Sequence, residues 1–255
     1  MLQLPAPNNH TAPYLRYSHD FPHLFLFSTT AKAPDLFPPL GTPASLVPQA
    51  SKIPLKLCTL KSNQQYAHHN AHLPLVKMQQ RHTTNCFHLK NITDTIPICD
   101  ALVTELPDVA LCIQHADCQA TCIYDYKRKN IAAIHAGWRG QVAGIYATSV
   151  KALKDLGSHP NNLFVFMAPS LGPCCAEIAH PPENFTAYHM QFANKNMFFN
   201  LWEMAHSQLT LLGIPSHQIV LPSKCTKCTP NLHSYRRDKT AKRNSTVVGL
   251  SLIHI

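Results

Sequence analysis

The sequence lacks the long apolar run that a membrane-spanning helix needs. Nowhere in its 255 residues do about 18 apolar residues follow one another, so no membrane span is predicted. The first residues, MLQLPAPNNHTAPY, also lack the basic and then apolar order of a secretory signal peptide. Internal repeats and low-complexity blocks are missing as well. We therefore expect a cytoplasmic globular protein, and the 45% hydrophobic content is sufficient for a full core.

Acidic residues are scarce, which leaves the chain basic. It has 13 Asp and Glu against 22 Lys and Arg, a formal net charge of +9. Seven of these basic residues lie between Lys224 and Arg243, where Asp238 is the only acid. No helix-turn-helix or zinc-finger spacing surrounds them, so nucleic acid is the least favoured partner. A solvated basic face, or a pocket for a small substrate that carries or uses phosphate, fits this segment better.

Ten cysteines are spread along the chain and do not frame a short secreted domain. In a reducing compartment such thiols are core residues, metal ligands or nucleophiles more often than disulfides. Cys174 and Cys175 could form a Cys₄ zinc site with the CxxC at Cys225–Cys228. Adjacent cysteines chelate one metal poorly, however, so we expect these thiols to pack near the rim of a site.

Short apolar runs bounded by turn residues predict a chain with more strands than helices. We predict strands at His23–Ser28, Asp100–Thr104, Val109–Gln114, Thr121–Tyr126, Ile131–His135, Leu163–Ala168, Ile219–Leu221 and Thr246–Ile253, and helices at Gln141–Leu156 and Leu201–Leu212. This outline predicts a single α+β domain over residues 1–255, with a proline-rich, variable edge at about residues 1–60.

A thiol and an imidazole mark the two ends of one predicted hairpin. If the chain turns at Lys127–Asn130, Cys122 lies opposite His135. Cys118, four residues further back, would then be about 13 Å from His135 along a straight strand. The chain must therefore bend between Cys118 and Thr121 if the two residues act together.

Such a pair suits two kinds of chemistry. Cys118 and His135 could be a nucleophile and its base, or two ligands of a metal such as zinc. His82 is a candidate for a third ligand. Three protein ligands would leave one coordination position open, as in catalytic zinc sites, where bound water is acidified.

Seven motifs carry a resemblance to a known family. They are QxH at Gln80–His82, DALVT at Asp100–Thr104, ADC at Ala116–Cys118, HAGWRG at His135–Gly140, GPCC at Gly172–Cys175, the CxxC at Cys225–Cys228 and HSYRRD at His233–Asp238. Their order over about residues 80–243 resembles the YfiH-like family, also called the polyphenol oxidase or laccase-domain family. The resemblance implies an α+β sandwich of mixed sheet with flanking helices.

The resemblance also implies an activity and a ligand set. Members are described as purine nucleoside phosphorylases that also deaminate adenosine, with adenosine, inosine or methylthioadenosine as substrates. By resemblance, His82, Cys118 and His135 bind a catalytic zinc, with Cys118 and His135 as the catalytic residues. The expected partners are a purine nucleoside and phosphate, not a membrane or nucleic acid.

Phosphorolysis needs positive groups that hold phosphate. Arg139, Arg236 and Arg237 can supply bidentate donors to phosphate or ribose. Asp117 and Gln80 adjoin presumed ligands and are expected to orient them rather than to act as acid or base.

Two alternative enzymes stay open. A His₂Cys set also fits a copper centre, which would make the chain a copper-dependent polyphenol oxidase. A laccase additionally needs a copper cluster fed by His-x-His pairs, and none of the 17 histidines stands two residues from another. The cluster at His68–His72 is expected to bind copper only fortuitously. The other alternative is a Cys–His hydrolase with Cys118 as the nucleophile.

The sequence departs from the family pattern in three places. Thr30 stands where an arginine near the site is usual, which puts substrate handling at the N-terminal edge in doubt. Ala176 replaces a common tyrosine, and Thr240–Arg243 replaces a glycine-containing turn. The three expected ligands are unaffected by these changes.

Overall fold

The computed structural model describes the backbone of residues 24–29, 59–60, 65–68 and 71–73, and it describes residues 74–250 in full. The strands in these ranges are β1 (Leu24–Thr29), β2 (Thr59–Leu60), β3 (Gln65–His68), β4 (Ala71–Lys77), β5 (Cys86–His88), β6 (Ala101–Thr104), β7 (Val109–His115), β8 (Gln119–Asp125), β9 (Ile131–Ala136), β10 (Leu163–Met167), β11 (Ile219–Val220) and β12 (Asn244–Leu250). The helices are α1 (Trp138–Ala143), α2 (Ile145–Asp155), α3 (Ala187–Met190), α4 (Leu201–Leu211) and α5 (Tyr235–Asp238). Within these described ranges, every helix is too short to cross a membrane.

The strands form two six-stranded sheets, and both sheets are mixed. The first has the order β1-β12-β7-β4-β3-β2, in which β4 and β7 are the parallel pair. The second has the order β11-β10-β8-β9-β6-β5, with a parallel pair at each edge and antiparallel strands in the centre. Together with the helices on the second sheet, this arrangement confirms the predicted α+β sandwich.

The central strand β8 is buried on both faces. Cys122 and Tyr124 share a core with Leu111 of the first sheet, whereas Ile123 packs with Val150 of helix α2 on the other side. Because both faces are covered, the strand needs no polar face, which explains its nearly continuous apolar run. The sandwich core therefore lies between the sheets, and a second core lies under the helices.

The predicted helix over Gln141–Leu156 is wrong in its start and its continuity. The chain is helical from Trp138 and breaks at Gly144 between α1 and α2. Gly144 has a φ of 94°, in the left-handed region, and its N–H closes α1 on the carbonyl of Gln141. Glycine takes this conformation without steric cost and so ends one helix where the apolar spacing alone suggested continuity.

The β8–β9 hairpin has a different register from the predicted one. Ala120, not Cys122, lies opposite His135. Cys118 is therefore two residues, or roughly 7 Å of strand, from the position opposite His135. The bend expected between Cys118 and Thr121 lies earlier, at residues 116–118, and β8 is regular strand from Gln119.

The hairpin connection accounts for the shift. The Oδ1 of Asp125 accepts hydrogen bonds from the N–H groups of Lys127 and Arg128, at 2.8 and 3.0 Å. Lys129 adopts a φ of 63°, and the N–H of Asp125 bonds the carbonyl of Asn130. The connection is therefore residues 126–129, one residue earlier at each end than predicted, which shifts the register by two residues.

The other predicted strands and the helix at Leu201–Leu212 are confirmed, with boundaries that agree within two residues over the described chain. Thr30 and the side chains of His68–His72 fall outside the described residues. The interpretation of residues 1–255 as one domain stays a prediction.

Candidate metal centre

Three side chains singled out from the sequence meet beside the β8–β9 hairpin. One ligand atom each from His82, Cys118 and His135 lies within 4.8 Å of the other two. The Sγ of Cys118 is 3.5 Å from the Nε2 of His82. The two imidazole centres are 5.0 Å apart, with an angle of 68° between the ring planes. The structure thus brings the three residues together, and their role as metal ligands stays a prediction.

Each of the three residues comes from a different segment. His135 lies near the end of β9, Cys118 directly precedes β8, and His82 lies in the loop after β4. His82 and Asp117 have φ values of 60° and 87°. Residues other than glycine seldom adopt this left-handed region, although histidine and aspartate tolerate it better than most. Contacts around the site therefore add to local preference in fixing these two loops.

A buried carboxylate, Asp100, organises both histidines. Its Oδ1 accepts hydrogen bonds from the Nδ1 of His135 at 2.8 Å and from the backbone N–H of His82 at 3.0 Å. Its Oδ2 accepts the N–H and the hydroxyl of Thr83 at 2.7 and 2.8 Å. Asp100 is fully buried, so these bonds compensate its desolvation. The same carboxylate fixes the His135 ring and the loop that carries His82, and it leaves the Nε2 of His135 to the site.

The electrostatics of the site favour a thiolate. Burial alone would raise the pKa of Asp100, but hydrogen bonds from His135 and Thr83 outweigh it and hold that pKa well below its usual range. Burial alone would also lower the pKa of the His135 imidazole and raise the pKa of the Cys118 thiol. Even so, bonds to Asp100 and Cys118 raise the pKa of His135 to about 9, and bonds from His135 and His82 lower the pKa of Cys118 to about 6. Without a metal, a thiolate therefore lies beside a protonated imidazole at neutral pH.

Asp117 and Gln80 connect the ligand loops to their neighbours. The carboxylate of Asp117 accepts the hydroxyl of Thr226 at 2.7 Å and the backbone N–H of Arg236 at 2.6 Å. The amide of Gln80 forms two bonds with the backbone of Gln114, at 2.7 and 2.9 Å. Both side chains hold neighbouring segments of the protein, and their role in orienting the ligands stays a prediction.

Gly137 leaves space for the ligand set. A Cβ at this position would lie 2.7 Å from the Cδ2 of His82 and 3.1 Å from the Sγ of Cys118. Its φ of −67° is open to any residue, so the position requires a small side chain and not a special backbone conformation. Backbone atoms alone therefore form this wall of the site.

Two of the three predicted substrate-binding arginines keep donors available. Arg139 is exposed, and its guanidinium stacks 4.1 Å from the ring centre of Trp138, with no hydrogen bond or ion pair to residues 74–250. Arg236 donates from Nη1 to the carbonyls of Cys175 and Glu177, at 3.3 and 2.9 Å. Its Nε and Nη2 are uncommitted among those residues. Both arginines can therefore offer N–H groups to an anion.

Arg237 is committed to the protein itself. Its Nη1 donates to three backbone carbonyls of the loop at residues 226–229, at 3.0 to 3.1 Å. Its Nη2 donates to the carbonyl of Leu232, and both Nη2 and Nε donate to the carboxylate of Asp238. The prediction that Arg237 binds substrate does not fit these contacts, because every nitrogen of its guanidinium already has a partner. This side chain braces a loop.

The described residues contain a second group of side chains of the kind that binds metals. The sulfurs of Cys174, Cys175, Cys225 and Cys228 all lie within 4.8 Å of one another. Simple packing does not describe them, since Cys225 is buried while Cys174 and Cys228 are exposed. Residues 74–250 contain no third group of this kind.

The sequence alone did not identify the roles of Asp100 and Gly137, although both stand in quoted motifs. For Asp100 a signal was present, since a charged residue directly before a fully buried strand must find partners. For Gly137 no signal was present, because the side chains that would collide with a Cβ come from distant segments.

Comparison with known proteins supports one family. Residues 58–251 match the family model described as multi-copper polyphenol oxidoreductase laccase. The chain is 38% identical over 170 residues to a purine nucleoside phosphorylase of Aquifex aeolicus, a match that covers 66% of this chain and 79% of that protein. It is 28% identical over 160 residues to purine nucleoside phosphorylase YfiH of Escherichia coli, covering 59% of this chain and 63% of that protein.

Solved structures share the fold. The chain superposes on YlmD of Geobacillus stearothermophilus with a TM-score of 0.66 and 19% identity, covering 94% of this chain and 99% of that one. For YfiH of Bacillus licheniformis the TM-score is 0.60 at 24% identity, covering 69% and 74%. At these identities the likeness concerns the fold alone.

Proposed function

The chain belongs to the YfiH-like laccase-domain family, and we propose that it is a zinc-dependent purine nucleoside phosphorylase that also deaminates adenosine. Inosine, adenosine or methylthioadenosine would be its nucleoside substrates, and inorganic phosphate its second substrate. The proposal rests on one observation above all. His82, Cys118 and His135 present their ligand atoms to a common point, with Asp100 behind both histidines.

The donor set fits zinc. One thiolate and two imidazoles are ligands that zinc prefers, and three protein ligands leave a position open for reaction. The lowered pKa of Cys118, about 6, supplies the thiolate at neutral pH. The bond between the Nδ1 of His135 and Asp100 leaves Nε2 for the metal, a carboxylate–histidine arrangement that accompanies many zinc sites.

When bound, the metal would supply a Lewis acid that acidifies water for attack on C6 of adenosine. The protein's own groups would do the rest. Asp100 holds the His135 ring in one orientation, and Asp117 ties the loop before Cys118 to Arg236. Both contacts keep the reacting geometry fixed before substrate arrives.

Arg139 and Arg236 would hold phosphate and the ribose hydroxyls. Arg139 follows His135 by four residues and has no hydrogen-bonding partner within residues 74–250. Arg236 is fixed by its own bonds to the carbonyls of Cys175 and Glu177. A guanidinium offers two parallel donors to a phosphate, which gives both affinity and orientation.

The geometry favours one second candidate, a Cys–His hydrolase. Cys118, His135 and Asp100 form a row of thiol, imidazole and carboxylate, and the lowered pKa of Cys118 makes the thiolate available for attack. This enzyme would need no metal.

Copper-dependent oxidation of phenols is suggested by the description of the matching family model. The described residues offer one mixed His/Cys group and one all-cysteine group. Neither provides the histidine-rich copper cluster that reduction of oxygen by a laccase would require. We therefore place this activity behind the other two.

The test is product analysis with matched variants. Purified protein is given inosine, adenosine or methylthioadenosine with and without phosphate, and free base, ribose 1-phosphate and ammonia are measured. We expect base release to require phosphate, ammonia to form from adenosine, and Cys118→Ala and His135→Ala to lose both activities. Cys86→Ala, a cysteine outside both clusters, serves as the control and should keep them. Base release that ignores phosphate, or an active Cys118→Ala variant, would contradict the proposal.

A further inference from the structure

The four sulfurs of Cys174, Cys175, Cys225 and Cys228 have the spacing of a metal's ligand shell. The Sγ of Cys228 is 3.6 Å from that of Cys174 and 3.4 Å from that of Cys175. All four sulfurs lie within 4.8 Å of one another. A tetrahedral centre with Zn–S bonds of about 2.3 Å separates its sulfurs by about 3.8 Å. The cluster needs only small side-chain adjustments to match this geometry.

Backbone N–H groups donate hydrogen bonds to the sulfur of Cys225, the buried member of the four. The Sγ of Cys225 accepts a hydrogen bond from the N–H of Gly172 at 3.2 Å, and it also accepts bonds from the N–H groups of Lys227 and Cys228. The CxxC loop thus folds around one of its own sulfurs. Donors of this kind stabilise negative charge on a sulfur ligand and fix its direction.

Two arginines lie behind the loops that carry these cysteines. Arg236 donates to the carbonyl of Cys175, and Arg237 donates to the carbonyls of Thr226 and Lys227. Four thiolates around a divalent ion carry a net negative charge. The two guanidinium groups lie where they would offset it, and they hold both loops in place.

A disulfide explains the arrangement less well than a metal does. The sulfur of Cys228 is nearly equidistant from those of Cys174 and Cys175, so no single partner is selected. The four sulfurs surround one point and do not separate into two pairs. Convergence of four thiols is what a closed, structural zinc site requires.

We propose that Cys174, Cys175, Cys225 and Cys228 form a second, structural metal site that binds zinc through four thiolates. The site would fasten the turn at Gly172–Cys175 to the loop at Cys225–Cys228. This loop also holds the His82–Cys118–His135 group, because the hydroxyl of Thr226 bonds Asp117, the residue before Cys118. The metal therefore supports the rim of the candidate metal centre without taking part in its chemistry.

Metal counting in a variant background tests this site separately from the proposed function. In Cys118→Ala the first ligand set is broken, so zinc that remains belongs to the second site. We expect reduced Cys118→Ala protein to retain about one zinc per chain, and the added Cys228→Ser change to remove it. Adding Cys86→Ala instead, as the control, should leave the zinc in place. This outcome does not depend on whether the chain is a phosphorylase.

Cobalt substitution identifies the ligands. Co²⁺ bound by Cys118→Ala protein should show the intense sulfur-to-metal charge-transfer absorption and the visible bands of a tetrahedral four-thiolate site. With Co²⁺ in large excess, so that a weakened three-thiolate site still fills, adding Cys174→Ser should cut the charge-transfer intensity by about a quarter. Reduced Cys118→Ala protein that binds neither Zn²⁺ nor Co²⁺ would overturn the proposal. So would mass spectrometry of untreated protein that finds these four cysteines joined in disulfides.

Discussion

At the residue scale, the candidate metal centre depends on small steric and electrostatic conditions that its ligands cannot provide themselves. Gly137 leaves space for the side chains of His82 and Cys118. Asp100 fixes the ring of His135 and the backbone of His82. Neither residue contributes a ligand atom to the group formed by His82, Cys118 and His135. Substitutions at these two positions therefore test the site without removing a ligand.

Gly137→Ala should weaken metal binding. The new Cβ would lie 2.7 Å from His82 and 3.1 Å from the sulfur of Cys118, so the ligands must move apart. We expect zinc affinity to fall by about 10- to 100-fold, the range seen when the support of a zinc ligand is disturbed. Competition with a chromophoric chelator measures this.

Gly140→Ala is the matched control for this substitution. Its Cβ would meet no atom closer than 3.5 Å, and the residue lies inside α1, where alanine is the better helix former. Zinc affinity should therefore stay unchanged. Equal loss in both alanine variants would show that the effect is general to the segment and not a clash in the ligand set.

Asp100→Asn should raise the pKa of the Cys118 thiol. The carboxylate stabilises the protonated form of His135, and that charge lowers the thiol pKa to about 6. In metal-stripped protein, alkylation of Cys118 should therefore appear as pH rises through about 6, because the thiolate is the reactive form. In Asp100→Asn the midpoint should move to higher pH, and zinc affinity should fall as well. An unchanged midpoint would contradict the role assigned to Asp100.

The sequence could identify the three candidate ligands but not the geometry that joins them. His82, Cys118 and His135 stand in motifs with recognisable neighbours. The contact of Asp100 with both histidines depends on strand order, since β6 lies beside β9 in the second sheet. No local pattern carries that information.

At the element scale, the β8–β9 hairpin and α5 position the site from two sides. The hairpin brings Cys118 close to His135 because its aspartate-led turn shifts the register by two residues. The helix α5 places the N–H of Arg236 on Asp117 and the guanidinium of Arg237 on the loop at residues 226–229. Apolar periodicity predicted most strands but not this register or the helix break at Gly144, because turn chemistry decided both.

Arg237→Lys should destabilise the fold without weakening the binding of phosphate. The Arg237 guanidinium donates hydrogen bonds to several carbonyls and to Asp238, and a lysine ammonium can replace only some of them. We expect a loss of about 2 kcal/mol in the free energy of unfolding, measured by urea denaturation of the metal-loaded protein. The KM for phosphate should stay within twofold, about 0.4 kcal/mol.

Arg139→Lys should show the opposite pattern. Its side chain is exposed and stacks on Trp138, so unfolding should change little, whereas the KM for phosphate should rise about tenfold. If Arg237→Lys raises the KM for phosphate and Arg139→Lys does not, the assignment of roles is reversed.

At the scale of the whole molecule, two sheets and a layer of helices bring together loops that are distant in sequence. The residues of the His82–Cys118–His135 group span more than fifty positions, and the four-cysteine group spans a similar length. The family motifs allowed the sandwich and the first group to be predicted. Convergence of the four cysteines was not expected, because the adjacency of Cys174 and Cys175 argued against a shared metal.

The most direct test of the central claim is to remove the metal and restore it. Protein stripped with a chelator under reducing conditions is assayed for phosphorolysis of inosine and deamination of adenosine, and zinc is then added back in steps. We expect both activities to vanish on stripping and to return with zinc in the wild type, but not in Cys118→Ala. Full activity in stripped protein would contradict the zinc mechanism, and its loss on alkylation of Cys118 would identify this thiol as a nucleophile with His135 as its base.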